Sequence, residues 1–178
     1  MKKVLILAGS PRKNGNSAAL CAEFARGAAE VGNDVELLYL RDKKIAYCNA
    51  CYYCKNHDGH CIIKDDMAEI LEKMNDADVI VMASPVYFYS IDAQMKTLID
   101  RTVAQWLKIR GKTFYYIMTA AEDSAWVMDC TLECMRGLAK CLKGSSEGGV
   151  IYGKGVYAPG EIREKPAMRE AYEMGKSV

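Results

Sequence analysis

Apolar and polar positions along the chain follow two rhythms. Val4-Leu5-Ile6-Leu7-Ala8 is an unbroken apolar run closed by Gly9, the pattern of a strand buried on both faces. Over residues 16–31 the rhythm becomes helical: Leu20, Phe24, Ala28 and Val31 share one face, and Gly32-Asn33 ends the run. Residues 35–40 predict a second strand. A helix opens at Met67 behind Asp65-Asp66, acids that suit the positive end of the helix dipole. Its stripe is Met67, Ile70, Leu71 and Met74. Residues 78–84 predict a third buried strand. A helix over 91–107 carries Met95, Leu98, Ile99, Thr102 and Trp106 on one face. Residues 113–119 predict a fourth strand. A helix over 124–142 has Val127, Cys130, Cys134, Leu138 and Cys141 as its stripe. A weak fifth strand over 148–152 and a last helix over 164–175 complete the series. Regular alternation of buried strands and helices specifies an α/β domain with a parallel sheet, and residues 1–178 read as one domain without linker or repeat.

Composition narrows the partners. The 24 basic and 23 acidic residues leave a formal net charge of +1. A near-neutral chain is not built as a polyelectrolyte binder, so no nucleic acid and no membrane are expected. Met1-Lys2-Lys3 and the apolar run behind it imitate a secretory leader, but the run is too short and Gly9-Ser10-Pro11-Arg12 interrupts it. The expected compartment is cytoplasmic, where thiols stay reduced.

That expectation bears on eight cysteines. Four of them, Cys48, Cys51, Cys54 and Cys61, lie in one segment spaced Cys-x2-Cys-x2-Cys-x6-Cys, together with the only two histidines, His57 and His60. Closely spaced thiolates can converge on an iron–sulfur cluster. Structural zinc sites more often show two cysteine pairs across a longer span, although the histidines keep zinc in view. Reduced thiols without metal are the third reading. Cys130, Cys134 and Cys141 read instead as small core hydrophobes on a helix face, and Cys21 beside Leu20 and Phe24 reads the same way.

Two loops carry ligand chemistry. Gly9 to Ser17 joins the first strand to the first helix. Asn14-Gly15 is a turn signal, and Asn16 or Ser17 can cap the helix. Backbone N–H groups at a helix start, the hydroxyls of Ser10 and Ser17, the Asn16 amide and the Arg12 guanidinium suit a phosphate. No acid occurs between Gly9 and Ala22 to repel one. The loop is neither a P-loop nor a dinucleotide fingerprint. The plain alternative is an ordinary capped loop. The second loop, Ser84-Pro85-Val86-Tyr87-Phe88-Tyr89-Ser90, follows the third strand at the same sheet end, where open α/β sheets bind ligands. Its aromatics suit a flat ring, or they cover the sheet end. Ser10 and Ser17 have no histidine and acid in context for a hydrolytic triad.

GSPRKNGNS, SPVYFYSIDAQMKTLIDR and YCNACYYCKNHDGHCIIKDDM together resemble the flavodoxin-like NAD(P)H-dependent oxidoreductases, the NADPH-dependent FMN reductase group. The cysteine segment resembles that of the iron–sulfur flavoproteins within it. The resemblance implies a three-layer α/β sandwich with a five-stranded parallel sheet in order 2-1-3-4-5. It implies FMN phosphate on Ser10, Arg12, Asn16 and Ser17, and the flavin ring against Pro85, Val86, Tyr87, Phe88 and Tyr89. The loop from Thr119 would touch the ring edge. Cys48, Cys51, Cys54 and Cys61 would be the ligands of a 4Fe–4S cluster if one is held. NAD(P)H would give a hydride to FMN, stacking on the flavin and leaving, since the short stretch after Tyr157 is expected to supply no nicotinamide pocket. The flavin does the chemistry, so no catalytic acid or base is assigned. The acceptor is a small molecule or a protein, and a homodimer or homotetramer is implied. The alternative within the resemblance is an electron carrier reduced by ferredoxin.

Overall fold

The computed structural model describes residues 1–178. Five strands form one parallel sheet: β1 Lys3–Ala8, β2 Asp34–Tyr39, β3 Val79–Pro85, β4 Thr113–Thr119 and β5 Ser146–Gly153. Their order is β2-β1-β3-β4-β5, the order anticipated. The helices are α1 Asn16–Glu30, α2 Met67–Asp76, α3 Ala93–Arg101, α4 Asp129–Cys141 and α5 Ala167–Lys176.

Side chains alternate across the strands, and this divides the core into two layers. Val4, Ile6 and Ala8 face Leu20, Phe24 and Ala28 of α1 and Ala171 of α5. Leu5 and Leu7 face the other layer, with Met67, Ile70, Leu71 and Met74 of α2, Met95 and Leu98 of α3, and Leu132 and Met135 of α4. Each of the larger side chains among these, Val, Leu, Ile, Phe or Met, contributes roughly 1.5–3 kcal/mol when removed from water. Helices α1 and α5 approach backbone to backbone. A Cβ on Gly27 would run into the Tyr172 carbonyl, and one on Gly175 into that of Phe24.

Several predicted elements are shorter or shifted. α1 ends at Glu30, leaving Val31 exposed outside it. α3 ends at Arg101 and passes into a 3₁₀ turn over Thr102–Ala104, so Trp106 is partly exposed rather than core. A 3₁₀ turn, Ala125–Met128, precedes α4. β5 runs longer than its weak pattern suggested, with a register irregularity opposite Phe114 and Tyr115. The largest correction concerns α4. Its buried face is Thr131, Leu132, Met135 and Leu138, whereas Cys130, Cys134 and Cys141 are exposed. Larger apolar groups won the core, since they bury more area than a thiol. Cys21 is fully buried, as read.

Candidate functional site

Three loops leave the sheet at one end, and the register sets them side by side. Ala8 pairs with Ala83, and Pro85 pairs with Thr119. Gly9 N–H donates to the Ala83 carbonyl at 2.8 Å, and Val86 N–H to the Thr119 carbonyl at 2.8 Å. β1 and β3 are spatial neighbours, but the chain runs outward from β1 through β2 before it returns to β3. Their shared end is therefore the switch point at which open α/β sheets hold ligands.

The first loop wraps the start of α1. Ser10, Asn16 and Ser17 are buried, and Arg12 is exposed. The residue preceding the helix is Gly15, and no side chain caps the first turn. The expected capping role of Asn16 or Ser17 is therefore corrected: both lie inside the helix, and the first-turn amides stay directed outward. Asn16 is engaged elsewhere. Its Nδ2 donates to the Ala158 carbonyl at 3.0 Å, while its Oδ1 accepts from Gly160 N–H at 3.0 Å and Ile162 N–H at 3.3 Å. Arg12 Nη1 donates to the Tyr157 carbonyl at 2.7 Å. Residues 157–162 thus form a second wall beside the loop, a contact that no local pattern signals.

The second loop is a two-residue hairpin. Tyr87 and Ser90 exchange backbone hydrogen bonds at 2.9 and 3.0 Å, and Phe88 and Tyr89 between them have φ of 50° and 62°. Positive φ at both central residues normally calls for Asn or Gly, so two aromatics there are strained. Phe88 is fully exposed, and Tyr89 stacks on Trp126 with centroids 5.6 Å apart. Beneath the loop, Ser84 Oγ donates to Asp92 Oδ2 at 2.7 Å, and Asp92 Oδ1 accepts Met95 N–H at 2.9 Å. Burial pushes the Asp92 carboxyl up, against these hydrogen bonds. The carboxylate presses on Gly9, where a Cβ would collide with it. Asp92 therefore locks the two ligand loops together, a role the sequence reading missed.

The cysteine segment folds as an irregular loop between β2 and α2, with positive φ at Ala50, Tyr52 and Asp58. Its four cysteines carry free thiols. Cys48, Cys51, Cys54 and Cys61 line one apolar cavity of about 690 Å³, together with Trp106 and, from α4, Cys134 and Cys141. No three His, Cys, Asp or Glu side chains gather closely enough for a single metal ion. His57 lies flat on Tyr53, 3.6 Å between centroids, and bonds its carbonyl through Nδ1. A cluster is a larger body whose ligand sulfurs stand apart around it, and the donor set fits that chemistry: four thiols on one cavity wall. Arg101, only 2% exposed, sits behind Cys61. Its Nη2 donates to Cys61 Sγ at 3.6 Å, and its Nε is buried without a partner.

Residues 2–130 match the family described as NADPH-dependent FMN reductase. The chain belongs to that family. Among relatives, an iron–sulfur flavoprotein of Archaeoglobus fulgidus is 32% identical across all of this chain and 79% of its own length. An iron–sulfur flavoprotein of Methanocaldococcus jannaschii is 45% identical over 100 residues, 56% of this chain and 51% of its own. The matched part is thus about half the length of that relative. Among solved structures, an azoreductase from Bacillus anthracis str. Sterne superposes with TM-score 0.76 at 18% identity, over all of both chains. An FMN-dependent NADH-azoreductase from Bacillus anthracis str. Ames Ancestor, in complex with FMN, gives TM-score 0.75 at 18% identity over 99% of each chain. At such identities the likeness establishes the flavodoxin-like fold. No helix is long and apolar enough to cross a membrane.

Proposed function

We propose that this FMN reductase family member is an NAD(P)H-dependent flavin oxidoreductase that passes electrons onward through its cysteine segment. The observation that carries the reading is the convergence of three loops on one sheet end: the acid-free loop at the α1 start, the aromatic hairpin and the loop after Thr119. Ser10, Arg12, Asn16 and Ser17 hold the FMN phosphate. The buried hydroxyls and first-turn amides supply donors, and Arg12 supplies charge. Pro85, Val86, Tyr87, Phe88 and Tyr89 flank the ring, and Thr119 lies at its edge. When bound, FMN exchanges two electrons with a nicotinamide and single electrons with a cluster or an acceptor.

Cys48, Cys51, Cys54 and Cys61 are the residues that hold a 4Fe–4S cluster. The cavity walls there are largely apolar, with Cys54 and Cys61 half-buried and Cys48 and Cys51 exposed at its mouth. The protein's remaining work is positioning and exclusion: the hairpin aromatics limit access to the ring, and Asp92 fixes the distance between the two loops. Exposed Tyr87, Phe88, Tyr89 and Trp126 leave an apolar rim at the site, which supports assembly as a homodimer or homotetramer.

The test mixes the purified full chain with NADPH or NADH without oxygen. Rapid bleaching of the flavin band supports the oxidoreductase. Bleaching only by reduced ferredoxin supports the electron carrier instead. Iron and sulfide assays on anaerobically prepared protein test the cluster, and less than one iron per chain removes it.

A further inference from the structure

The cysteine segment is closed at its base by a knot of polar groups. Lys44 N–H donates to Asp66 Oδ2 at 2.7 Å, and Asp66 N–H to the Lys44 carbonyl at 3.1 Å. Ala46 N–H donates to Asp65 Oδ2 at 2.9 Å. Arg101, the last residue of α3, enters this base. Its Nη1 donates to the Ala46 carbonyl at 2.7 Å and to Asp65 Oδ2 at 2.7 Å, and its Nη2 donates to Asp65 Oδ1 at 2.9 Å and to Cys61 Sγ at 3.6 Å. One planar fork therefore touches Ala46, two residues before the first cysteine, together with the fourth cysteine and the acid beyond it. Lysine could not reproduce this, since it is a point charge without a fixed fork.

A buried guanidinium is costly unless its charge is answered. Asp65 answers it and contributes one negative charge, so the pair is formally neutral. The Nη2 hydrogen bond to sulfur is additional to that pairing and gives the remaining buried Nη2 hydrogen its partner. We infer that Arg101 is a positioning residue for the fourth sulfur, closing the loop around Cys61 and easing one-electron reduction of a cluster held there. This rests on the cluster reading proposed above. Adding one electron makes the cluster and its thiolates one charge more negative. A donor and cation beside a ligand sulfur stabilise that state over the oxidised one. α3 follows the aromatic hairpin and ends at Arg101, whose side chain touches Cys61, so one helix joins the two candidate sites.

The experiment compares the wild-type chain with Arg101→Gln and Arg101→Lys, each prepared and reconstituted without oxygen. Three quantities are read: iron per chain, the cluster midpoint potential by spectroelectrochemical titration, and hydrogen exchange of residues 46–65 in metal-free protein. Arg101→Gln is expected to speed exchange across the segment. It is also expected to lower the reduced-to-oxidised ratio at fixed potential tenfold, about 59 mV for a one-electron couple. Arg101→Lys retains the cation and is expected to recover part of the potential without recovering slow exchange. FMN content serves as the check that each variant is folded. If Arg101→Gln does not fold, Arg101→Lys carries the test alone: faster exchange with a potential below wild type supports the inference. A loaded cluster whose potential is unmoved in every folded variant overturns it. Wild-type protein that retains FMN but takes up no iron overturns both the cluster reading and this inference, and leaves the FMN site standing.

Discussion

Asn16 accepts the amide hydrogen of Gly160 at 3.0 Å, joining the first turn of α1 to a loop 144 residues away. The same side chain also serves Ala158 and Ile162, so its oxygen accepts twice and one of its two Nδ2 hydrogens is used on this wall. Asn16→Ala would strand two amides and a carbonyl, the Ile162 amide in a buried position. The expected loss is about 2 kcal/mol in urea unfolding, together with weaker FMN retention as the wall beside the loop loosens. Unchanged stability would mean that water replaces the side chain at no cost.

Arg12 behaves differently, because it is exposed and its only side-chain hydrogen bond goes to the Tyr157 carbonyl. Arg12→Ala is expected to shift unfolding stability by less than about 0.5 kcal/mol. FMN affinity should nevertheless fall at least tenfold, about 1.4 kcal/mol, read by flavin fluorescence on titration. The wild-type affinity should also weaken with salt, and the variant's less so. Equal affinity in the two proteins would remove Arg12 from the phosphate site.

The hairpin tip allows strain and function to be separated. Phe88 is fully exposed and holds φ of 50° without packing to repay it. Phe88→Gly is expected to raise stability by about 1 kcal/mol, because glycine adopts this backbone freely. Phe88→Ala keeps the strain and should give no such gain. Both variants should bind FMN more weakly than wild type if the ring lies against the flavin. A stability gain with undiminished binding would make the residue a surface feature.

Much of this arrangement is legible in local pattern. The stripe of Met67, Ile70, Leu71 and Met74 and the apolar run of residues 4–8 each bury as read, because one period decides them. The α4 stripe went the other way. Two overlapping registers share Leu138, and counting Cys130, Cys134 and Cys141 as apolar favoured the smaller groups over Leu132 and Met135. The larger side chains were the available signal. Arg101 had no local signal: its partners Asp65, Cys61 and Ala46 lie 36, 40 and 55 residues away. The same holds for Asn16 and for Asp92 under Gly9. Long-range polar contacts are made by topology, and a pattern read along one segment does not contain them.

The Asp65–Arg101 pair predicts a pH dependence. Burial would raise the Asp65 carboxyl, but the Arg101 hydrogen bonds and the Ala46 and Met67 amides outweigh it, and the group sits below its ordinary value. A depressed folded value contributes stability that is present above the unfolded value near 3.8 and is lost as pH falls through the folded one. Asp65→Asn should remove that part of the acid transition. It should also cost about 3–5 kcal/mol at neutral pH, because it leaves the Arg101 charge buried and unanswered. Urea midpoints between pH 2 and 7 measure both effects, and an unaltered acid limb in the variant would assign the transition to other carboxylates.

Thiol reactivity separates the cysteines by environment. Burial pushes the Cys21 thiol up to about 12, and it is fully enclosed under α1. In metal-free native protein, seven thiols should react with a disulfide reagent, with Cys54 and Cys61 slowest among them because they are half-buried. The eighth should appear only on unfolding. Assembly of a four-thiolate cluster should reduce the reactive set to three, Cys130, Cys134 and Cys141, each on α4. Mass spectrometry of the labelled peptides identifies which remain. If Cys134 or Cys141 became protected while one of the four segment cysteines stayed reactive, the ligand set would have to be redrawn across the cavity to include α4.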